Sequence, residues 1–410
     1  MGSEMVKVAV LGYGTVGSGV VEVLQTNRDD IARRAGNVIE VGYVLDLREF
    51  PGDPVETILV HDYEEILADP EVRVIVETMG GVNPAYDFTK RALQSGRHVC
   101  TSNKELVAQH GVELLEIARA KNVNYLIEAS CGGGIPIIRA LNTSLTADRI
   151  EAITGILNGT TNYILSKMAI EGLEFDEALS QAQANGYAER NPEADIEGHD
   201  ACRKIAILSS LAYGSHIDYT EVCTEGITRV STKDMLYASA LNASIKLLAF
   251  SKREGDRVSI AVCPAMIRRE NPLFMVEDVF NAVLVRGNML GDAMFYGSGA
   301  GRLPTASAVA ADVVDCAMHL EEHLPVHTGG EPLNIVPIEE TTSRFFVRIE
   351  GEVSAHLSEI TGLMGEVEVV AVPEIAGEFG FVTQPMKEAE FRKKLDALGN
   401  VHGRFIRVFF

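Results

Sequence analysis

Residues 6–24, VKVAVLGYGTVGSGVVEVL, bring together a short apolar run, the glycine spacing Gly12-x-Gly14-x-x-Gly17, and a pattern carrying Val20, Val21 and Leu24 on one helical face. The apolar run predicts a buried strand, and the glycines predict a tight turn into a helix that starts at Thr15 and Val16. The three glycines then serve three different physical needs, which are the turn itself, close approach of backbone to a pyrophosphate, and close packing of helix on strand. The helix N-terminus supplies N–H groups that suit an anion. A glycine spacing alone also occurs in purely structural turns. Its setting between strand and helix is what carries the expectation of dinucleotide binding.

Working outward, VIEVGYVLD predicts a second strand ending at Asp46, where an acid can bond the ribose 2′-hydroxyl of NAD. Arg48, two positions on, can instead meet the 2′-phosphate of NADP, and an aspartate there can also simply open a turn. The segments VRVIVETMGG, RHVCTSNKELVAQ and NYLIEAS continue an alternating strand and helix rhythm, which predicts a doubly wound parallel sheet. Ligands bind at the carboxyl ends of such strands, here the loops ETMGG (77–81), TSNK (101–104) and EASCGGGIP (128–136). Lys104 is therefore placed to touch cofactor or substrate, although lysines are mostly solvated surface charges. The glycine run after Glu128 suits both a hinge between domains and an oxygen-only cation site.

Composition narrows the function classes. The 410 residues suggest more than one domain, and 36 basic against 58 acidic residues give a formal charge of −22, which argues against nucleic acid and anionic lipid as partners. The six cysteines form no C-x-x-C pair, so neither a zinc site nor a disulfide framework is expected, in keeping with a reducing cytoplasm. No signal-peptide pattern and no apolar run of membrane-spanning length is found.

From about residue 135 the rhythm breaks. RIEAITGILNGTTNYILSKM places a polar corner, Asn158 to Asn162, between a strand-like run and a helix, and FDEALSQAQANG follows with Gly186 as its stop. The next stretch, YAERNPEADIEGHDACRK, delivers Glu189, Asp195, Asp200 and Lys204, the last two spaced four apart and so on one helical face. Carboxylates can hold an ammonium group, and a lysine can exchange a proton with a reacting oxygen. With a dinucleotide at hand, these are the parts for hydride transfer on a small amino acid. A solvated acidic loop followed by an ordinary ion pair is the structural alternative.

Taken together, these motifs resemble those of a known family. The stretch from Ala182 to Lys204, together with GYGTVG, TSNK, EASCGGGIP, ILNGTTNYIL and GSGAGRLPTASAVAADVVD in that order, is similar to the motifs of homoserine dehydrogenases over about residues 6–325. The resemblance implies NAD(P)-dependent reduction of L-aspartate 4-semialdehyde to L-homoserine in threonine and methionine biosynthesis. It implies Lys204 as proton donor, Lys104 beside nicotinamide and substrate, and Glu189, Asp200, Thr160 and Asp195 as substrate contacts. Gly12, Gly14, Thr15, Val16, Gly17, Asp46, Lys104 and Gly301 would meet the cofactor. Glu128 and the backbone carbonyls of Cys131, Gly133 and Ile135 match a monovalent cation site, usually sodium. Many members carry arginine where this chain has Leu45, so NAD and NADP both stay open.

After a proline-punctuated linker, residues 341–410 follow a βαββαβ order that resembles an ACT domain, with Gly351-Glu352-Val353 in place of the usual effector turn. The expected architecture is a Rossmann-type domain (1–134 plus 298–325), an α+β substrate-binding and dimerisation domain (135–297), and this ACT-like tail, in a cytoplasmic homodimer or homotetramer. Two alternatives stand beside it: a semialdehyde dehydrogenase with Cys131 as nucleophile, and a non-catalytic amino-acid sensor.

Overall fold

A computed structural model describes residues 5–327, 330, 332–399 and 401–410. Residues 1–4 of the expected first domain, residues 328, 329 and 331 of the linker, and residue 400 of the expected tail lie outside the described residues. The chain divides into two compact units, Met1–Asp148 with Ala206–Asp218 and Gly297–Glu331, and Arg149–Ile205 with Tyr219–Tyr296 and Pro332–Phe410.

In the first unit, β1 (Met5–Leu11) leads through the glycine turn to α1 (Thr15–Thr26), α2 (Arg28–Ala35) and β2 (Val38–Leu45). Then come β3 (Leu59–Val60), α3 (Tyr63–Ala68), β4 (Val72–Glu77), α4 (Ala85–Gln94), β5 (His98–Thr101), α5 (Lys104–Lys121) and β6 (Tyr125–Leu126). The strands pair in parallel in the order β3-β2-β1-β4-β5-β6. That order reverses between β1 and β4, which opens the ligand crevice of doubly wound sheets there. Val6, Val8, Val10 and Leu11 are fully buried, as continuous apolar strands covered on both faces must be. The return helix Arg302–Met318 lies close against α1: a Cβ at Gly19 would stand 2.9 Å from the Ala306 Cβ.

One strand is shorter than the sequence suggests. NYLIEAS yields only the two residues of β6, and Glu128–Ser130 form a single 3-10 turn. The cause is local: the Glu128 carboxylate turns inward to bond the start of α6 (Ile137–Arg139), and Gly132 and Gly133 follow with φ of +74° and +55°.

The second unit is built on β7 (Ile150–Ile156), α7 (Gly159–Glu171), α8 (Phe175–Ala184), α9 (Glu193–Ile196) and the start of α10 (His199–Tyr213). Its mixed sheet runs Gly291–Ser298, Phe280–Gly287, β7, Ala243–Glu254, Arg257–Arg268, Val401–Phe409, Thr342–Glu350, Glu378–Thr383, Val367–Val370. The ranges 135–297 and 341–410 thus contribute strands to one sheet, joined where Ala265, Met266 and Ile267 pair with Arg407, Val408 and Phe409. The C-terminal segment has strand, helix, two strands, a two-residue strand Met386–Lys387, helix and strand. Phe345 and Phe391 stack at 3.9 Å in its core.

At that join Arg407, 1% exposed, bonds both Glu388 oxygens and Glu225, each at 2.8 Å. Arg407→Met would leave the buried Glu388 carboxylate and the half-buried Glu225 facing an apolar side chain. Removing one partner of a buried pair costs about 3–5 kcal/mol, and because Arg392 still bonds Glu388, the lower end, about 3 kcal/mol, is expected. A thermal melt should show the loss, and an unchanged melting temperature would contradict this role.

Candidate active site

The glycine turn of the first unit behaves as its spacing demands. Gly12 has φ +90°, and a Cβ there would press on Met79 and the Thr78 carbonyl at 3.1 Å. A Cβ on Gly17 would lie 1.9 Å from the Gly12 oxygen, so that glycine is required for packing. At Gly14 a Cβ would meet nothing within 4 Å: the space above the turn is open. Gly14 caps α1 without a side-chain bond, and the first turn, with exposed Thr15 and half-buried Val16, carries no acid. Its N–H groups and dipole therefore suit a phosphate. Gly301, at φ +119°, precedes the return helix in the same unit.

Asp46 stands directly after β2. It accepts the Tyr13 N–H at 2.8 Å and a two-point contact from Arg48 at 2.9 and 2.8 Å. Arg48, helped by main-chain N–H groups, holds the Asp46 carboxyl well below the usual carboxylate range. The two side chains expected from the sequence to meet the ribose or its phosphate are thus in contact. Lys104, partly buried, is the first residue of α5, whose cap is Asn103 accepting the Leu106 N–H at 3.1 Å.

In the second unit the acidic stretch folds around a lysine. Lys204, 9% exposed, donates to the Leu157 carbonyl at 2.8 Å and pairs with Asp200 at 2.6 Å, so the four-residue spacing does set both on one face of α10. Asn158 ties the cluster together. Its amide N–H₂ donates to Asp195 at 2.7 Å and Asp200 at 2.9 Å, while its oxygen caps α7 through the Thr161 N–H at 2.9 Å. Burial, then the Asp200 charge, pushes the Asp195 carboxyl above its ordinary range, which Asn158 counters. Thr160, 8% exposed, donates to the Tyr187 carbonyl at 2.6 Å. Glu189 is exposed on the loop before α9, and its main-chain carbonyl accepts from Gln183. In the sequence Asn158 is one member of a polar corner that resembles a substrate-contact loop, with no role of its own. An Asn between strand and helix is an N-cap signal, but the second use of its amide needs the tertiary fold.

The glycine run lies wholly in the first unit. Glu128 is 3% exposed, and its carboxylate oxygens accept the Ile138 and Arg139 N–H groups at 2.9 and 2.6 Å. Burial pushes its carboxyl up, and those two N–H groups counter. The carboxylate therefore caps α6, with one N–H on each oxygen. Gly133 approaches Gly299 so closely that a Cβ would sit at 2.5 Å. Cys131 is fully buried, which gives no support to the nucleophile alternative.

Comparison with known proteins decides the family. Residues 136–314 match the model of the homoserine dehydrogenase family and residues 12–128 that of the homoserine dehydrogenase NAD-binding domain. Homoserine dehydrogenase from Neisseria gonorrhoeae is 39% identical, over 89% of this chain and 86% of that one. The chain belongs to the homoserine dehydrogenase family. Another relative, from Synechocystis, is 40% identical over 97% of this chain and 96% of its own. Among solved structures, homoserine dehydrogenase from Thiobacillus denitrificans superposes with a TM-score of 0.90 at 36% identity, covering 100% of this chain and 99% of that one. A hyperthermophilic archaeal homoserine dehydrogenase in complex with NADPH gives 0.65 at 26% identity over 79% and 99%. Membership in this family of oxidoreductases leaves the sensor alternative without support, and the first unit is a nicotinamide-dinucleotide-binding domain. Among the described residues no helix is long and apolar enough to cross a membrane.

Proposed function

We propose that this chain catalyses the reversible NAD(P)-dependent reduction of L-aspartate 4-semialdehyde to L-homoserine, on the route to threonine and methionine. The observation that carries the reading is the buried Lys204–Asp200 pair, held with Asp195 by Asn158, in a chain whose other unit has an open phosphate-binding turn. The nicotinamide, when bound, supplies the hydride. Lys204 gives its proton to the aldehyde oxygen as the alkoxide develops, and takes it back in the oxidative direction. Asp200, Asp195 and the exposed Glu189 bind the substrate ammonium by charge, and Thr160 lines the same loop. Lys104, three residues past β5 in the dinucleotide-binding unit, supplies a cation beside the nicotinamide.

Gly12, Gly14, Thr15, Val16, Gly17 and Gly301 meet the dinucleotide, and Asp46 the adenosine ribose. Arg48 is able to leave Asp46 for a 2′-phosphate, which supports use of NADP as well as NAD. Glu128 and the carbonyls of Cys131, Gly133 and Ile135 hold a monovalent cation, sodium by preference, whose role is to stiffen the loop. The C-terminal segment is ACT-like, the assembly a homodimer or homotetramer, and the compartment the cytoplasm. Absorbance at 340 nm with the semialdehyde and, in parallel, NADPH or NADH tests the reaction. Homoserine formed in step with cofactor oxidation is expected, and a folded, nucleotide-binding sample that oxidises neither cofactor would refute it.

A further inference from the structure

Glu77 closes β4 at the crevice and is fully buried, yet the proposed chemistry makes no use of it. A buried carboxylate is costly unless donors surround it, so an apolar residue would serve the core better. The donors it has come from two different loops. The Met79 N–H, on the loop after β4, reaches one oxygen at 2.8 Å, and the Thr101 hydroxyl, at the end of β5, reaches the other at 2.6 Å.

The chain of bonds continues on both sides. Thr101 Oγ1 accepts the Asn103 N–H at 2.9 Å, the Asn103 amide donates back to the Gly81 carbonyl at 2.6 Å, and its oxygen caps α5, which begins at Lys104. On the other side Thr78 Oγ1 donates to the Gly12 carbonyl at 2.9 Å and the Leu11 carbonyl at 3.1 Å. Two sets of hydrogen bonds, joined through the main chain of Glu77, Thr78 and Met79, therefore link the glycine turn to the residue before Lys104. Burial pushes the Glu77 carboxyl up, and the Thr101 and Met79 bonds work against that shift.

We propose that Glu77 is a positioning residue: its buried carboxylate latches the loop after β4 to the loop that starts α5, and so fixes Lys104 relative to the cofactor turn. The role of Lys104 rests on the function proposed above. The latch itself is tested by cofactor binding, which does not depend on the identity of the aldehyde.

The experiment compares wild type, Glu77→Ala and Glu77→Gln as full chains. Binding of reduced cofactor is read from nicotinamide fluorescence. Turnover and thermal melts are measured alongside. Misplacement by about 1 Å can cost roughly 100-fold in rate, so Glu77→Ala should lose about that much in kcat per folded molecule, with KM for the semialdehyde within about threefold. Its Kd for reduced cofactor should rise roughly tenfold as the loops part. Glu77→Gln can accept from Met79 with its amide oxygen and donate to Thr101 Oγ1, so it should restore both quantities to within about threefold of wild type.

Glu77→Ala that binds and turns over like wild type would overturn the proposal. So would Glu77→Gln that fails as badly as Glu77→Ala, since charge and not positioning would then be the requirement. If wild type itself fails to reduce the semialdehyde, the functional reading falls while the binding comparison still decides the latch.

Discussion

Lys204→Ala is expected to lower kcat for semialdehyde reduction by about 10²–10⁴-fold, the usual worth of a positioned general acid, with cofactor affinity nearly unchanged. The geometry behind this is specific. The Lys204 ammonium is held by Asp200 at 2.6 Å and by the Leu157 carbonyl at 2.8 Å, a fixed position for a proton donor in the second turn of α10. Removing it also strips the 3%-exposed Asp200 of its cation, so a melt must accompany the kinetics. Lys204→Gln separates the two effects. Its amide can still bond Asp200 or Leu157, which spares the fold, yet it cannot release a proton to an alkoxide, so its turnover should stay as low as that of the alanine variant. Near-normal kcat in a folded Lys204→Gln variant would remove this lysine from the proton transfer, whatever the reaction proves to be.

The two units differ in how far they were legible. In the first, the determinants are local: the apolar run of β1, the glycines of the turn and the acid after β2 lie in short windows, and a parallel sheet follows from the βα rhythm. In the second, Val401–Phe409 pairs in parallel with Arg257–Arg268, and nothing in either segment announces a partner so distant in the chain. A fully buried Arg407 at that join reads, in sequence, as one more charge on an alternating strand. The same division holds within the site. Asp200 and Lys204 share a helix, so their contact follows from spacing alone. The grip of Asn158 on Asp195 and Asp200 joins a strand end to two later helices, and only the fold brings them together. Glu128 shows a third case: the sequence marks it as a ligand candidate, and the structure turns its carboxylate to the start of α6, because a buried acid takes the nearest unpaired N–H groups.

The second large effect is expected at the glycine turn, where Gly17→Ala and Gly14→Ala should fail in different ways. A Cβ on Gly17 would lie 1.9 Å from the Gly12 oxygen and 2.8 Å from Thr78 Oγ1. The first neighbour is backbone, and Gly12 is itself pressed against Met79, so α1 and the turn must move apart. Overpacking of this kind costs about 1–3 kcal/mol. Where the turn shifts to escape that contact it must be brought back to hold the pyrophosphate, so the cofactor Kd should also rise, tenfold for about every 1.4 kcal/mol of that separate cost. The melting temperature should fall as well, since the strain is present without ligand. Gly14 faces open space, so its alanine variant should melt like wild type and lose affinity only because its methyl occupies the path of the pyrophosphate. Calorimetric titration with reduced cofactor, beside thermal melts of both variants, separates the two. A Gly14→Ala chain that binds as tightly as wild type would show that the anion does not approach the turn at that residue. A Gly17→Ala chain with unchanged melting and unchanged Kd would contradict the close packing of α1 on the turn.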